Sequence, residues 1–306
     1  MSAQKHVGVI GGGPWGVALA LAAGRAGAQV TLLSRRAPPP NDNVTVTTEY
    51  ADVAKAGLVI VAVPSTVVRE VMRTLGDHLD GHHLVVHGIR GLSPDRLETV
   101  SDIIRDETPV RRCGALGGPV QATELAHGRP SAMVVGSRYP EVIGAVTEAF
   151  ASPSLHVRGT HDVRGLEWAS ALVGCVAIGV GFAEASGAGP GLLAALISGA
   201  VEECGRILVM AGAEERTMLG LGGYGDLLAS IALDHRPEVV IGKSLAKGKS
   251  LDEAVAEAKL RVEALTLIPR VTAFAREHRV KAHTFDILLE ILQGARPEKL
   301  IPRLFS

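Results

Sequence analysis

A glycine-rich turn near the start of the chain most constrains what the chain can fold into. Gly11, Gly13 and Gly16 fit the spacing G-x-G-x-x-G, directly after the apolar run His6–Ile10 and at the start of a helical pattern. In a strand–turn–helix unit, such glycines allow a tight turn, bring the backbone close to a pyrophosphate and let the helix pack on the strand. A glycine cluster can also mark a plain turn, but its position in a βαβ unit favours a dinucleotide site.

The first half of the chain has the pattern of a parallel sheet. Short β-branched runs alternate with helical segments, which is typical of βαβ units and of a doubly wound fold. The run Leu58–Val63 is apolar throughout, as expected of a strand that is covered on both faces. The predicted strands are His6–Ile10, Gln29–Leu33, Leu58–Val63, His83–His87 and Ala132–Gly136, with helices over Val17–Ala26, Val67–Leu75 and Pro94–Asp106.

The second half of the chain is predicted to be helical. From about Arg158, the β-branched runs give way to long patterns rich in Ala, Leu and Gly. We therefore expect a Rossmann-type, doubly wound α/β domain over residues 1–158 and an all-α domain over residues 159–306. The helices predicted in the second domain are Leu166–Ala185, Leu192–Ala211, Tyr224–Ile231, Leu251–Ala258, Ile268–His278 and Thr284–Leu292.

Composition and charge exclude several classes of partner. The formal net charge is −1 and aromatic residues make up 3%, which favours neither nucleic-acid binding nor base stacking. The apolar stretches Trp168–Ala183 and Ala185–Val201 are shorter than the roughly 20 residues that span a bilayer, so we expect buried helices and no membrane span. Three separated cysteines and no signal-peptide pattern predict a cytoplasmic location. The apolar helices indicate a homodimer, although they can equally form the core of one domain.

The end of the second predicted strand indicates which dinucleotide binds. An NAD site usually has an acidic residue there, which accepts hydrogen bonds from the ribose 2′-hydroxyl. This chain has Ser34, Arg35 and Arg36 instead. Because a guanidinium can hold a 2′-phosphate through two parallel hydrogen bonds, we predict a preference for NADP(H) over NAD(H). The alternative is that both arginines lie on a solvated edge.

His87 is the candidate for acid–base chemistry. It ends a predicted strand, where doubly wound folds place ligands, and an imidazole exchanges protons near neutral pH. Equally, it can be a strand-end histidine that is hydrogen-bonded to the backbone. His82 and His83 lie nearby, but three histidines on alternating faces of one strand would not converge on one ion. No metal site is therefore predicted.

Several motifs, in order along nearly the whole chain, resemble those of bacterial-type NAD(P)-dependent glycerol-3-phosphate dehydrogenases. The segments VIVAVPS (Val59–Ser65), Gly117–Ser137 and RVEA (Arg261–Ala264) each match in part. The most specific match is TMLGLGGYGDL, Thr217–Leu227, because its glycine and aspartate pattern is unusual elsewhere. The resemblance implies that the cofactor-binding positions include Trp15, Pro64, Gly118, Ala122 and Glu263.

The resemblance implies that this chain lacks the catalytic lysine of the family. In the family, a lysine of the helical domain donates a proton to the new alkoxide, and an asparagine follows it. The resemblance places Val173 and Gly174 at these two positions. The phosphate-binding Ser-Arg-Asn of the family falls on Arg236, Pro237 and Glu238, and a glutamate there would repel a phosphorylated substrate. A one-residue slip would let Arg236 form a weak phosphate site.

Two charged residues remain candidates for the substrate site. Arg90 matches a second family lysine, and it keeps the charge but not a readily lost proton. It can polarise a carbonyl or simply point to water. Asp226 is retained from the family's polar residues, and it can orient an acid or cap the helix that begins near Leu227.

These patterns together predict an NAD(P)H-dependent oxidoreductase of this family that acts on a CH–OH or carbonyl group of a small molecule and is divergent in substrate. The alternative is a catalytically inactive homologue that binds the dinucleotide and serves as a sensor or interaction partner. Tight cofactor binding without turnover of any carbonyl compound would distinguish the second hypothesis from the first.

Overall fold

The computed structural model of the chain describes residues 5–36, 39, 41–93 and 96–296. Contacts group the chain into two compact units. The first unit comprises Met1–Ile89 and Glu98–Glu167, and the second comprises Arg90–Leu97 and Trp168–Ser306. The domain bounds expected from the sequence, 1–158 and 159–306, remain a prediction, and the two compact units have different bounds.

The first unit is built on one eight-stranded sheet with the order β3-β2-β1-β4-β5-β6-β7-β8. Neighbouring strands are parallel except β6 and β7, which are antiparallel. The strand order reverses between β1 and β4, and such a switch point is where doubly wound sheets bind ligands. The strands are β1 (His6–Ile10), β2 (Gln29–Leu33), β3 (Val44–Thr47), β4 (Leu58–Val61), β5 (Leu84–His87), β6 (Cys113–Gly117), β7 (Ser131–Gly136) and β8 (Leu155–Thr160).

Helices cover both faces of this sheet. Along β4, Leu58 and Ile60 belong to one apolar cluster, whereas Val59 and Val61 belong to another. Because successive side chains of a strand point to opposite faces, the two clusters lie on opposite sides, and the predicted doubly wound fold is confirmed. The helices of this unit are α1 (Pro14–Arg25), α2 (Tyr50–Val53), α3 (Val68–Gly76), α4 (Val100–Glu107), α5 (Ala122–Ala126) and α6 (Pro140–Phe150).

Two features of the first unit differ from the sequence-based expectation. The strands β3, β6 and β8 were not predicted. β6 reads Cys-Gly-Ala-Leu-Gly without a β-branched residue, and it is a strand because it pairs with β5 and β7. The helix expected from Pro94 begins instead at Val100, because Thr99 caps it by accepting a hydrogen bond from the Asp102 N–H at 3.2 Å. Pro94 itself lies outside the described residues.

The second unit is helical and has one apolar core, to which Trp168, Phe182 and Phe285 contribute. Its first helix, α7 (Val163–Ala185), begins before the division between the units and belongs to the second unit from Trp168 onward. A π-helical turn, Leu221–Gly225, precedes α10. The remaining helices are α8 (Pro190–Met210), α9 (Glu215–Leu219), α10 (Asp226–Ile231), α11 (Pro237–Ala246), α12 (Leu251–Ala258), α13 (Ala264–Glu277) and α14 (His283–Leu292).

The two long apolar stretches of the sequence differ in burial. Among the described residues, α7 is the one helix long and apolar enough to cross a membrane, and 89% of its most apolar window is buried, as in the core helix of a protein without a membrane span. The expectation of a second buried helix over Ala185–Val201 is met only in part. α8 begins at Pro190, and residues 191–199 are exposed or half-buried, although Leu193 and Ile197 pack against the edge of the core. The buried residues of α8 begin at Ala200.

Candidate functional site

The three glycines of the turn between β1 and α1 meet different surroundings. Gly11 has φ +128°, a conformation that favours glycine, and an added Cβ would lie 2.3 Å from the carbonyl oxygen of Ala62. At Gly16, an added Cβ would lie 2.0 Å from the carbonyl oxygen of Gly11. At Gly13, it would meet no protein atom within 4 Å. The fold therefore requires two of the glycines for its own packing, whereas Gly13 borders open space.

The helix that follows this turn presents its N-terminus without a side-chain cap. Gly13 is the N-cap of α1, and Pro14 occupies the first turn. The first turn of a helix leaves backbone N–H groups without intrahelical partners and carries the positive end of the helix dipole. An uncapped helix start beside a bare glycine fits the pyrophosphate of a dinucleotide.

A cleft of about 540 Å³ opens over the glycine turn, within the first unit. It lies at the carboxyl ends of β1, β2 and β4, the strands on either side of the switch point. Thr48 and Tyr50 also line it, and neither was predicted from the sequence, because both follow the unpredicted strand β3. The predicted cofactor residues that the cleft brings together are Gly11, Gly13, Ser34, Arg35 and Pro64.

Ser34 organises the segment that carries the two arginines. Its Oγ donates a hydrogen bond to the carbonyl oxygen of Arg36 at 2.7 Å and accepts one from the Arg36 N–H at 3.0 Å. An added Cβ on Gly12 would lie 2.1 Å from this Oγ, so the turn and Ser34 are packed closely together. Arg35 and Arg36 are exposed, and of these two only Arg35 lines the cleft.

The other predicted cofactor residues occupy separate positions. Trp15 packs against Gly88, where an added Cβ would lie 2.4 Å from Trp15 Nε1. Gly118 follows β6 with φ +97°, and Ala122 is the first residue of α5. Glu263 immediately precedes α13 in the second unit. None of these four predicted residues is part of the described lining of the cleft over the glycine turn.

His87 ends β5, but its side chain is buried, with 1% of its surface exposed. Its Nε2 lies 2.9 Å from Oε1 of Glu167, and the N–H of Ile89 donates to its Nδ1 at 3.3 Å. Because Nδ1 is an acceptor here, the ring proton is on Nε2 and is donated to Glu167. Both ring nitrogens are thus engaged within the first unit. This geometry supports the backbone-bonded alternative for His87 rather than a group that exchanges protons with a substrate.

Glu167 is a buried polar residue that was not predicted from the sequence as part of a site. Its Oε1 also accepts a hydrogen bond from the Ser101 N–H at 2.8 Å, close to the start of α4. Its Oε2 is buried and has no hydrogen-bond partner in the described part of the chain. The signal that could have identified it is a glutamate inside the apolar run GLEWASALVG, because a carboxylate is costly to bury unless it is paired.

The two histidines that precede β5 are not placed for joint ligation. His83 Nδ1 lies 2.9 Å from Oδ1 of Asp80, and its Nε2 lies 2.8 Å from the carbonyl oxygen of Ala54. The side chain of His82 is 94% exposed. Within the described ranges, no three His, Cys, Asp or Glu side chains are grouped so that they could hold a metal ion.

Four charged residues of the second unit form a compact group, which we call the charge cluster: Arg90, Asp226, Arg236 and Glu238. Arg90 Nη1 donates to Asp226 Oδ2 at 2.7 Å, and Arg236 Nε donates to Glu238 Oε2 at 2.9 Å. Burial raises the pKa of Asp226, which the positive charge of Arg90 opposes, and burial lowers the pKa of Arg236. Buried charges with shifted pKa values are a mark of functional sites.

Asp226 begins α10 but does not cap it. The N-cap position is Gly225 and has no side-chain hydrogen bond to the helix. The carboxylate of Asp226 is fully buried and is bonded to Arg90, and Ser230 Oγ lies 3.5 Å from its Oδ1. The helix-cap alternative for Asp226 is therefore wrong, and the residue holds Arg90 in place.

The two positions at which the family lysine and asparagine were expected are small or apolar. Val173 lies in the apolar core of the second unit with no exposed surface. Gly174 faces Glu238, because an added Cβ would lie 3.6 Å from Glu238 Oε1. Ala264 lies equally close, with its Cβ 3.6 Å from that position. Residue 173 thus contributes to the packing of the core, and Glu238 Oε1 lies on the side of Gly174 to which a side chain would point.

Comparison with known proteins identifies similar chains over almost the whole length. Residues 39–143 match the family described as NAD-dependent glycerol-3-phosphate dehydrogenase N-terminus, and residues 162–302 match the corresponding C-terminus. The glycerol-3-phosphate dehydrogenase (NAD(P)+) of Gluconobacter oxydans is 30% identical over 305 residues, covering 95% of this chain and 94% of that protein. The enzyme of the same name from Fusobacterium nucleatum is 30% identical over 296 residues, covering 90% and 88%.

Solved structures share the fold. The glycerol-3-phosphate dehydrogenase of Coxiella burnetii superposes with a TM-score of 0.89 at 22% sequence identity, covering 99% of each chain. The enzyme GPD1 of Saccharomyces cerevisiae superposes with a TM-score of 0.88 at 21% identity, again over 99% of each chain. These likenesses confirm the predicted fold class, an α/β Rossmann-type domain followed by a helical domain.

Proposed function

Because the chain belongs to the NAD-dependent glycerol-3-phosphate dehydrogenase family, we propose that it is an oxidoreductase that uses a nicotinamide dinucleotide and acts on a CH–OH or carbonyl group of a small molecule. The bound dinucleotide supplies or accepts the hydride. The observation that carries the proposal is the open space at Gly13 beside the uncapped start of α1, within a cleft at the switch point of the sheet. Gly11 and Gly16 shape this turn, and Pro64 lines the same cleft.

The residues that follow β2 support NADP(H) as the preferred cofactor. Ser34 leaves no carboxylate to repel a 2′-phosphate, and its hydrogen bonds to Arg36 hold the two arginines in one turn. Arg35 lines the cleft and is exposed, so its guanidinium is available to pair with a phosphate group. We assign the 2′-phosphate contact to Arg35 first and to Arg36 second.

The second unit supports a substrate other than that of the named relatives. Hydride transfer to a carbonyl creates an alkoxide, which needs a positioned proton donor. Val173 is apolar and buried, so it cannot be this donor. Glu238 adds a negative charge to the charge cluster. We therefore propose that dihydroxyacetone phosphate is a poor substrate and that the enzyme is divergent in specificity, with Arg90, which Asp226 holds in place, as the polar residue retained for binding.

The binding-only alternative rests on a specific observation, the burial of His87. With both ring nitrogens bonded inside the first unit, His87 is poorly placed to serve as the acid–base residue that the sequence indicated. A chain that holds a dinucleotide without a proton donor would act as a sensor or interaction partner. We rank the oxidoreductase first, because the glycine turn has all three of its glycines and the charge cluster supplies polar groups for a substrate.

The experiment that tests the proposal measures binding and turnover on the same purified chain. Fluorescence titration gives the Kd for NADPH and NADH, and loss of NADPH absorbance reports reduction of carbonyl compounds with and without a phosphate group. The proposal expects tighter binding of NADPH and turnover of at least one compound. Tighter binding of NADH would contradict the cofactor preference, and tight NADPH binding without any turnover would favour the binding-only alternative.

The location and the assembly are parts of the same proposal. All three cysteines, Cys113, Cys175 and Cys204, are free and buried, which supports a reducing, cytoplasmic location. The early part of α8 has apolar residues that are only partly buried, such as Leu193 and Ile197, and this supports a homodimer. Size-exclusion chromatography with light scattering should give twice the chain mass of 31.9 kDa, whereas a single chain mass would contradict the dimer.

A further inference from the structure

The charge cluster of the second unit is electrically balanced. Its two guanidinium groups, on Arg90 and Arg236, are each bonded to a carboxylate, on Asp226 and Glu238 respectively. The side chain of Arg90 is 29% exposed and that of Asp226 is 0% exposed, whereas those of Arg236 and Glu238 are 10% and 16% exposed. Solvent therefore screens these four charges only weakly. Because these side chains are mostly buried, each charge acts strongly on a ligand that lies beside it.

The balance is unfavourable for an anionic ligand. A phosphate dianion is held best by guanidinium groups that form two parallel hydrogen bonds to its oxygens. In this cluster, the Nε of Arg236 already donates to Glu238, and the carboxylate adds a negative charge beside the same guanidinium. A phosphate group would therefore meet repulsion from Glu238 together with attraction from Arg236.

Glu238 also supplies a hydrogen-bond acceptor, whereas a phosphate group has to be bound by hydrogen-bond donors. Its bond to Arg236 is through Oε2, whereas its Oε1 lies 3.6 Å from the position that a Cβ of residue 174 would occupy. Because residue 174 is glycine, no side chain from that position contacts this oxygen. A carboxylate oxygen accepts hydrogen bonds, so it matches a hydroxyl group and not a phosphate, which at neutral pH is mainly an acceptor itself.

We infer that Glu238 is a specificity-determining residue, which excludes a phosphate group and accepts a hydroxyl group, so that the substrate is a small, uncharged hydroxy-carbonyl compound or its alcohol. This inference rests on the proposed function, since it takes the charge cluster as the substrate site. Glu238 acts on binding and discrimination, and it takes no part in proton or hydride transfer.

A matched pair of ligands tests the inference without any need for turnover. Isothermal titration of the protein–NADP+ complex gives the Kd for glycerol and for glycerol 3-phosphate, which differ in one phosphate group. We expect wild-type protein to bind glycerol more tightly. Glu238→Gln keeps the size and the acceptor oxygen but removes the charge, and it should improve the affinity for glycerol 3-phosphate at least about tenfold relative to glycerol. Asp252→Asn removes an exposed carboxylate of the same unit and should leave the ratio unchanged.

A double variant tests whether the gain comes from Arg236. In Arg236→Met/Glu238→Gln, the charge that Glu238 offsets is gone, so the gained affinity for glycerol 3-phosphate should be lost again. Circular dichroism of each variant shows whether the fold is kept. An unchanged ratio in Glu238→Gln, the same shift in Asp252→Asn, or binding of neither ligand to any variant would overturn the inference. Failure of the proposed function is a separate result, namely that no carbonyl compound is reduced by NADPH.

Discussion

The substitution Gly13→Ala separates binding of the cofactor from stability of the fold. A Cβ at Gly13 would meet no protein atom within 4 Å, and the residue has φ −76°, which alanine adopts readily. The change in the free energy of unfolding should therefore stay within about 1 kcal/mol, since the loss of backbone freedom in the unfolded chain and a weaker N-cap oppose one another. The fold has no reason of its own to keep glycine at this position.

The same methyl group should strongly weaken NADPH binding. It would occupy the open space beside the N-terminus of α1, where we propose that the pyrophosphate binds. Loss of one hydrogen bond to a charged group costs about 1.5–3 kcal/mol, which corresponds to roughly 10- to 100-fold in Kd. Fluorescence titration of NADPH measures the affinity, and thermal unfolding of the same sample measures the stability.

Two other glycines serve as controls for this prediction. Gly57→Ala also places its Cβ in open space, but the residue precedes β4 at the amino end of the sheet, so both readouts should stay unchanged. Gly16→Ala would place a Cβ 2.0 Å from the carbonyl oxygen of Gly11 and should destabilise the fold itself. An NADPH affinity that is the same in Gly13→Ala as in wild type would refute the assignment of the cleft to the cofactor.

Three further predictions concern cofactor choice, the buried histidine and acid stability. Arg35→Asp should weaken NADPH binding at least about tenfold and spare NADH binding in parallel titrations, since it reverses the charge at the contact proposed for the 2′-phosphate, and equal weakening of both would refute this role. His87→Ala should lower the free energy of unfolding in guanidinium by about 2–3 kcal/mol, because the buried Glu167 carboxylate loses a donor, and an unchanged value would contradict the hydrogen bond. The hydrogen bond from Arg69 holds the pKa of Glu107 below its ordinary value of 4.5. The ionised carboxylate therefore stabilises the fold fully above pH 4.5, and this stabilisation is lost as the pH falls through the lowered pKa. In urea unfolding at a series of pH values, the difference between wild type and Glu107→Gln should shrink on acidification, and a constant difference would exclude the effect.

Local patterns predicted part of the fold to the residue. The bounds of β1 and β2 follow from their apolar runs and the flanking turns. The bounds of α12 follow from Ser250 and Glu253, whose side chains form a capping box at its start. The strand β6, with two glycines in five residues, has no such signal, because its pairing with neighbouring strands makes it extended.

The candidate site also has a part that the sequence predicts and a part that only the structure shows. The glycine turn is contiguous in the sequence, so spacing alone located it. The partner of His87 is eighty positions away in the chain, and the partner of Arg90 is 136 positions away. No spacing rule connects such residues, because the fold brings them together. The role proposed for Glu238 was indicated in part by a charge at an unexpected position, but its bond to Arg236 and its position relative to Gly174 required the structure.

The rate of NADPH oxidation with dihydroxyacetone phosphate tests the central claim most directly. The purified chain is compared with the Gluconobacter oxydans enzyme, which is 30% identical, at equal enzyme concentration and saturating NADPH. A positioned proton donor contributes about 10²- to 10⁴-fold to such a rate, and Val173 cannot provide one. We predict a rate at least about 100-fold below that of the relative, together with tight binding of NADPH. A rate within about tenfold of the relative would contradict the proposed divergence and would assign the chain the activity for which its relatives are named.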